Sequence, residues 1–157
     1  MKKRLIYVSG LVLFLDQLIK YIFVNFFDLN EYKFLINDFL YVTHTRNDGA
    51  AWSMLSGNRV FLIAVTLVAL VLIYLYFIRG KEINNYQCIT YSLLIGGILG
   101  NLWDRVFLGY VIDYIGLIFG NYYFPIFNLA DSCIVISCIL IIIESIKGDN
   151  NEVSSRK

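Results

Sequence analysis

Apolar residues run through this chain in four long blocks, at residues 5–27, 60–78, 86–103 and 126–146. Each is long enough to cross a bilayer, which takes roughly 20 apolar residues. The block at 60–78 is the cleanest, whereas the first is interrupted by Asp16 and Lys20. Backbone groups surrounded by hydrocarbon must find hydrogen-bond partners within their own segment, so each block is predicted to be a helix. The chain therefore reads as one integral membrane domain over residues 1–157, an all-α bundle of four spans. Between the spans lie two longer segments, 28–59 and 104–125, and a polar tail follows at 147–157 that is expected to be disordered. Within the first of these segments, β-branched and aromatic residues around Tyr41, Val42, Thr43 and Thr45 predict a short strand or hairpin over 34–46. No internal repeat is visible.

Lysine and arginine counts orient the spans. One side carries Lys2, Lys3, Arg4, Arg79, Lys81, Lys147, Arg156 and Lys157, the other only Lys33, Arg46, Arg59 and Arg105. The richer side is expected to be cytoplasmic, which puts both termini inside and both long segments outside. Lys2, Lys3 and Arg4 followed by an apolar run imitate a signal peptide. No alanine precedes Ala50, however, so no A-x-A cleavage site follows, and the run is predicted to remain as the first span.

Composition agrees with a membrane protein. Hydrophobic residues make up 59% of the 157 positions and charged residues only 16%, with a single proline, and the mean hydropathy is +0.67. Soluble domains are about 45–50% apolar. A net charge of +1 with no basic stripe excludes a nucleic-acid partner. Cys88, Cys133 and Cys138 lie in apolar runs with no CxxC spacing, so they read as small hydrophobes. One histidine, His44, with no cysteine pair cannot build a standard zinc site, and no metal or cofactor is expected.

The polar residues within the apolar blocks gather at one depth. Asp16 and Lys20, four apart, share a face in the outer half of the first span. Asn101 and Asp104 share a face at the outer end of the third, next to Arg105. Asn128 and Asp131 share one in the first two turns of the fourth. At ~1.5 Å per residue, Asp131 is then expected about 8 Å below the start of that span. Asp113 and the loop Asn47-Asp48-Gly49 fall outside it. The inner half of the bundle has almost no such groups, which points to one outward-facing site.

Each cluster also has a plainer use. The Gly96/Gly100 pair, with Gly97 beside it, suits close helix packing, and would also aim Asn101 and Asp104 into the bundle. Asp16 and Lys20 make an intramembrane ion pair. Asn47-Asp48-Gly49 makes a turn, which can also present amides to an extended peptide. Arg105 marks a span end or meets lipid phosphate. Asp113 and Asp131 are harder to dismiss, because an ionisable residue in or beside hydrocarbon is costly and neither has a local cation. Two poorly solvated carboxyl groups close together share a proton, which supplies a base and an acid at once. One can activate water while the other polarises a peptide carbonyl. A proton or cation relay uses the same pair. Serine–histidine and serine–lysine schemes lack supporting motifs, and neither HExxH nor GxGD is present.

Five stretches, in order, resemble those of bacterial lipoprotein signal peptidase (signal peptidase II). Asp16-Gln17-Leu18-Ile19-Lys20 is similar to DQxxK. The run from Asn47 through Asp48, Gly49, Ala50, Ala51 and Trp52 to Ser53 is similar to NxGxAFG. Residues 96–105, with Gly96, Gly97, Gly100, Asn101, Asp104 and Arg105, resemble GGxxGNxxDR. Val111-Ile112-Asp113-Tyr114-Ile115 resembles VVDFI, and Phe127-Asn128-Leu129-Ala130-Asp131 resembles FNxAD. Departures are mild: Trp52 and Ser53 for Phe-Gly, Ile112 for Val and Tyr114 for Phe. They bear on substrate fit and leave every carboxylate and amide in place.

The resemblance implies an intramembrane aspartyl endopeptidase with Asp113 and Asp131 as catalytic residues. Asn47, Gly49, Asn101, Arg105 and Asn128 would position substrate, and Asp16, Lys20 and Asp104 would support the architecture. It implies a four-helix membrane bundle with a small β-cradle and a short helix on the outer face, both within 28–59. It also implies a bacterial cytoplasmic membrane location and cleavage just before a diacylglyceryl-modified cysteine. The expected partners are prolipoprotein signal peptides and membrane phospholipid, and the chain is expected to act as a monomer. Rival classes are an ion-coupled transporter, which needs a polar path that Thr66, Ser137 and Glu144 barely offer, and a lipid- or peptide-binding module without turnover.

Overall fold

The structure is a computed structural model that describes residues 1–50 and 54–155, with side chains through 147. Its elements are α1 (Lys2–Phe26), β1 (Tyr32–Ile36), β2 (Leu40–Asn47), α2 (Arg59–Ile73), α3 (Asn85–Phe107), β3 (Val111–Phe119), β4 (Tyr122–Tyr123) and α4 (Leu129–Ser155). A π-helical turn, Tyr74–Ile78, prolongs α2. Three helical stretches, Lys2–Phe26, Arg59–Ile78 and Leu129–Lys147, are long and apolar enough to cross a membrane. Within α2 only Leu62 is buried. A helix that is apolar all round yet exposed has hydrocarbon as its solvent.

α3 occupies the third expected block and is the central helix, packed against α1 on one side and α4 on the other. Its tyrosine, serine, threonine, asparagine and glutamine side chains dilute its apolar content, so it is not among those three stretches. Asn84 and Gln87 close its first turn with a reciprocal capping box. Close packing comes from the glycines. A Cβ on Gly96 would stand 2.6 Å from the Val12 side chain of α1, and one on Gly97 would stand 2.6 Å from the Ala130 carbonyl of α4.

The four strands form one antiparallel sheet in the order β1-β2-β3-β4. The predicted hairpin over 34–46 is present as β1 and β2, while the longest strand, β3, comes from the segment 104–125, for which the sequence suggests no element. β2 pairs with β3 in a register that sets Thr45 opposite Asp113 and Asn47 opposite Val111. His44 Nδ1 donates to the Phe27 carbonyl at 3.1 Å, which ties β2 to the end of α1.

Two boundaries differ from expectation. Among the described residues of 28–59 there is no short helix: 54–57 form turns, in which Leu55 (φ 60) and Gly57 (φ 79) adopt left-handed conformations that a right-handed helix cannot continue. Ala51, Trp52 and Ser53, part of the expected NxGxAFG loop, lie outside the described residues. At the other end, α4 continues to Ser155, into the tail predicted to be disordered. A lone glycine such as Gly148 does not by itself end a helix.

Candidate active site

The fourth helix begins at Leu129 rather than near residue 126, because the chain before it is extended and pairs with β3. Phe127 N–H donates to the Ile115 carbonyl (2.9 Å), and the Phe127 carbonyl accepts from Ile115 (2.8 Å) and Tyr114 (3.1 Å). Asp131 therefore stands in the first turn of α4, not about 8 Å below its start. The same three backbone bonds draw β3, which carries Asp113, against the start of the helix that carries Asp131.

Asparagine amides frame the two carboxylates. Asn128 Nδ2 donates to Asp113 Oδ1 at 2.7 Å, and it also lies within range of Asn101 Oδ1 (3.1 Å) and the Ile112 carbonyl (3.2 Å). The backbone N–H of Asn128 donates to Asp131 Oδ2 (3.2 Å), and its Oδ1 accepts from the Asp131 N–H (2.9 Å). This is a capping box with aspartate at its third position, and it binds one member of the pair while Asn128 Nδ2 holds the other. Asn101 Nδ2 donates to Asp131 Oδ1 at 2.7 Å, and Asn47 Nδ2 donates to Asp113 Oδ2 at 2.9 Å. Four amide donors thus occupy four carboxylate oxygens, and no cation touches either group within salt-bridge distance among the described residues.

Behind this layer lies a second carboxylate cluster that does hold a cation. Lys20 Nζ is 2.8 Å from Asp16 Oδ2 and 2.8 Å from Asp104 Oδ2, and all three side chains are sealed from solvent. A Cβ on Gly100 would come within 2.5 Å of Asp16 Oδ2, so a glycine is needed there to admit the carboxylate. Asp16 Oδ1 accepts from the Ala130 N–H of α4 (3.1 Å) and Asp104 Oδ2 from the Ile112 N–H of β3 (3.1 Å). The cluster therefore fastens α1 and α3 to the two elements that bear Asp131 and Asp113. Lys20 also donates to Asn101 Oδ1 at 3.1 Å. Because lysine can only donate, this contact fixes which end of the Asn101 amide faces Asp131.

Asn47, Asn101, Arg105, Asp113 and Asp131 line one end of a cavity of about 590 Å³. The rest of its wall is apolar, with Leu117, Phe124 and Ile126 on one side and Val135 and Ile136 of α4 on the other. Val135 and Ile136 are largely exposed, so the cavity is continuous with the surface that faces hydrocarbon. Arg105 Nη2 donates to the Gly49 carbonyl (2.9 Å), and the Gly49 N–H donates to Asn47 Oδ1 (3.0 Å). This chain holds the loop over the polar end and orients the amide that binds Asp113. Burial, and then the nearby charge of Asp131, push the Asp113 carboxyl from its ordinary value of 3.8 up to about 7. At neutral pH the pair can therefore hold one proton, the arrangement that supplies a base and an acid side by side.

All ten candidate residues from the sequence converge on this region in two layers. Asp113, Asp131, Asn47, Asn101, Asn128, Arg105 and Gly49 surround the cavity's polar end, and Asp16, Lys20 and Asp104 lie behind it. Sequence reasoning passed over Gln17 and Tyr114. Gln17 donates to Asp104 Oδ1 (2.9 Å) and the Gly100 carbonyl (3.3 Å), so it braces the rear cluster. Its place inside the DQxxK stretch was the available signal. Tyr114 accepts from the Leu129 N–H at 2.9 Å through the hydroxyl that a phenylalanine would lack.

A family model described as Signal peptidase (SPase) II matches residues 8–147. The lipoprotein signal peptidase of Staphylococcus aureus strain MRSA252 is 39% identical over 147 residues, covering 94% of this chain and 90% of that protein. The corresponding protein of strain JH9 is 38% identical over the same shares. Two solved structures, each described as a bacterial membrane enzyme determined by the in meso method, superpose closely. The one at 2.3 Å resolution has a TM-score of 0.85 at 39% identity, covering 94% of this chain and 90% of that one. The one at 1.9 Å has a TM-score of 0.81 at 39% identity, covering 91% and 92%.

Proposed function

The chain belongs to the signal peptidase II family, and from that premise we propose that it is an intramembrane aspartyl endopeptidase that removes the signal peptide from diacylglyceryl-modified prolipoproteins just before the lipidated cysteine. The observation that carries this reading is the pairing of Asp113 and Asp131, from different elements, at the polar end of a cavity whose other walls are apolar and open to hydrocarbon. An extended peptide with lipid attached would suit such a space. α3 serves as the fourth span, since its 23 residues reach about 35 Å at ~1.5 Å each. The lysine and arginine bias puts both termini in the cytoplasm and the site near the outer leaflet of the bacterial cytoplasmic membrane. The chain acts as a single-domain monomer.

In this mechanism Asp113 keeps the resting proton, which its raised value of about 7 favours. Asp131, at the positive end of α4, is the base. Asp131 takes a proton from water as the water oxygen bonds to the scissile carbonyl carbon, and Asp113 gives its proton to the carbonyl oxygen. The tetrahedral diol then collapses: Asp131 returns its proton to the departing nitrogen, the C–N bond breaks, and Asp113 recovers a proton from a diol hydroxyl. Asn47, Asn101 and Asn128 hold the carboxylates, and Gly49 and Arg105 hold the loop that covers them. Asp113→Asn and Asp131→Asn are each expected to lower cleavage of a diacylglyceryl-modified prolipoprotein by at least about 10³-fold in a gel-shift assay while the protein stays folded. Appreciable turnover by either variant would sink the dyad.

A further inference from the structure

A helix leaves its first N–H groups without intrahelical partners, and in α4 each finds its partner in a different place. The Leu129 N–H donates to the Tyr114 hydroxyl (2.9 Å), the Ala130 N–H to Asp16 Oδ1 (3.1 Å) and the Asp131 N–H to Asn128 Oδ1 (2.9 Å). Asp16 and Asn128 already belong to the two carboxylate layers. Tyr114 has no role yet, although it directly follows Asp113 in β3. Neighbours in a strand point to opposite faces. Asp113 lines the cavity, whereas the Tyr114 ring stacks on Phe23 of α1, with centroids 4.4 Å apart and planes 11° apart. The ring is 3% exposed.

We propose that Tyr114 is a positioning residue of the dyad: anchored on α1 by its ring, it holds the first amide of α4 with its hydroxyl and so sets the placement of Asp131 relative to Asp113. The strand that carries one carboxylate thereby grips the helix that carries the other, through a rigid side chain with few torsions. Without the hydroxyl, the Leu129 N–H loses its partner and the first turn of α4 is free to shift. A displacement of about 1 Å in a reacting group can change rates a hundredfold. This inference rests on the proposed aspartyl chemistry.

The test compares wild type, Tyr114→Phe, Tyr86→Phe and Asp113→Asn as full-length protein in detergent, with a diacylglyceryl-modified prolipoprotein as substrate. Phe keeps the ring and its stack on Phe23, so the fold is retained. Tyr86→Phe is the matched control, because the Tyr86 hydroxyl also bonds the α4 backbone, at the Leu140 carbonyl (2.9 Å), near the middle of the helix and away from its first turn. Tyr114→Phe is expected to lower kcat about tenfold with KM unchanged, and to speed amide exchange in the first turn of α4. Tyr86→Phe is expected to leave kcat unchanged. Wild-type kcat in Tyr114→Phe, an equal fall in both tyrosine variants, or a fall confined to KM would each overturn the inference. Cleavage by Asp113→Asn would instead overturn the dyad itself.

Discussion

Asp16 and Asp104 form one carboxylate pair and Asp113 and Asp131 form another, with the Asn101 side chain bonded to Lys20 of the first and to Asp131 of the second, yet the two are opposite in character. The first pair closes on Lys20 at 2.8 Å from each partner and has no access to the cavity. The second is bounded by neutral amides from Asn47, Asn101 and Asn128 and opens onto about 590 Å³ of space. A buried carboxylate bonded to a cation serves as a fastening. The Asp113 carboxyl, held only by amide donors, keeps its geometry while burial without a cation raises it to about 7. On the proposed chemistry, the difference teaches that one cation separates a structural use of paired aspartates from a catalytic one.

The comparison breaks most severely if the roles can be exchanged. Removing a dyad carboxylate should abolish turnover yet leave Asp113→Asn at least as thermally stable as wild type at pH 8, because the burial penalty of that charge disappears. Lys20→Met should do the reverse of a clean catalytic knockout: it strands two buried carboxylates and is expected to lower stability by about 3–5 kcal/mol, read by chemical unfolding in detergent or by failure to accumulate in the membrane. A Lys20→Met protein as stable as wild type would mean that the rear cluster is no fastening.

Asn101 is the side chain that touches both layers, through Lys20 on one side and Asp131 on the other. Asn101→Ala should therefore lower kcat by about tenfold and stability by about 1–2 kcal/mol together. A variant that loses only one of the two would show that the layers act independently.

The comparison also predicts a dependence on pH. The Asp113 carboxyl is raised from 3.8 to about 7 in the folded protein. Folding is then unpenalised below about pH 4, and the penalty grows as pH rises toward 7 and is complete above it. Thermal stability should decline over that window, and kcat should fall as Asp113 loses its proton above about pH 7. In Asp113→Asn the stability decline should flatten. An unchanged slope would place the titrating group elsewhere.

The contrast between the two pairs was only partly legible in the chain. The polar partners within each helix could be read from residue spacing, Asp16 with Lys20, Asn101 with Asp104, and Asn128 with Asp131, but the pairing of Asp16 with Asp104 across α1 and α3 could not. Three apolar blocks could be read as α1, α2 with its π-helical end, and α4, because hydrocarbon imposes a length and a composition that local sequence reports directly. β3 was not legible. Its nine residues, Val111–Phe119, are mostly buried on both faces, so the alternation that marks a half-buried strand is missing. The true start of α4 was hidden for a related reason, since Ile126 and Phe127 are as apolar as the helix they precede and are kept out of it only by pairing with β3. Gln17 escaped notice because it is one residue from Asp16, and its partners at Gly100 and Asp104 are more than eighty positions away.

Local sequence thus determined which residues carry charge within the apolar chain and at which end of the bundle they lie, because burial of polar groups in hydrocarbon is a property that each segment expresses by itself. The tertiary structure alone decided that Lys20 closes on Asp104 as well as on Asp16, and that the backbone of β3 clasps the start of α4. It thereby decided which two aspartates keep a cation and which two are framed by neutral amides at the cavity, since that outcome depends on distances of a few ångströms between segments far apart in the chain.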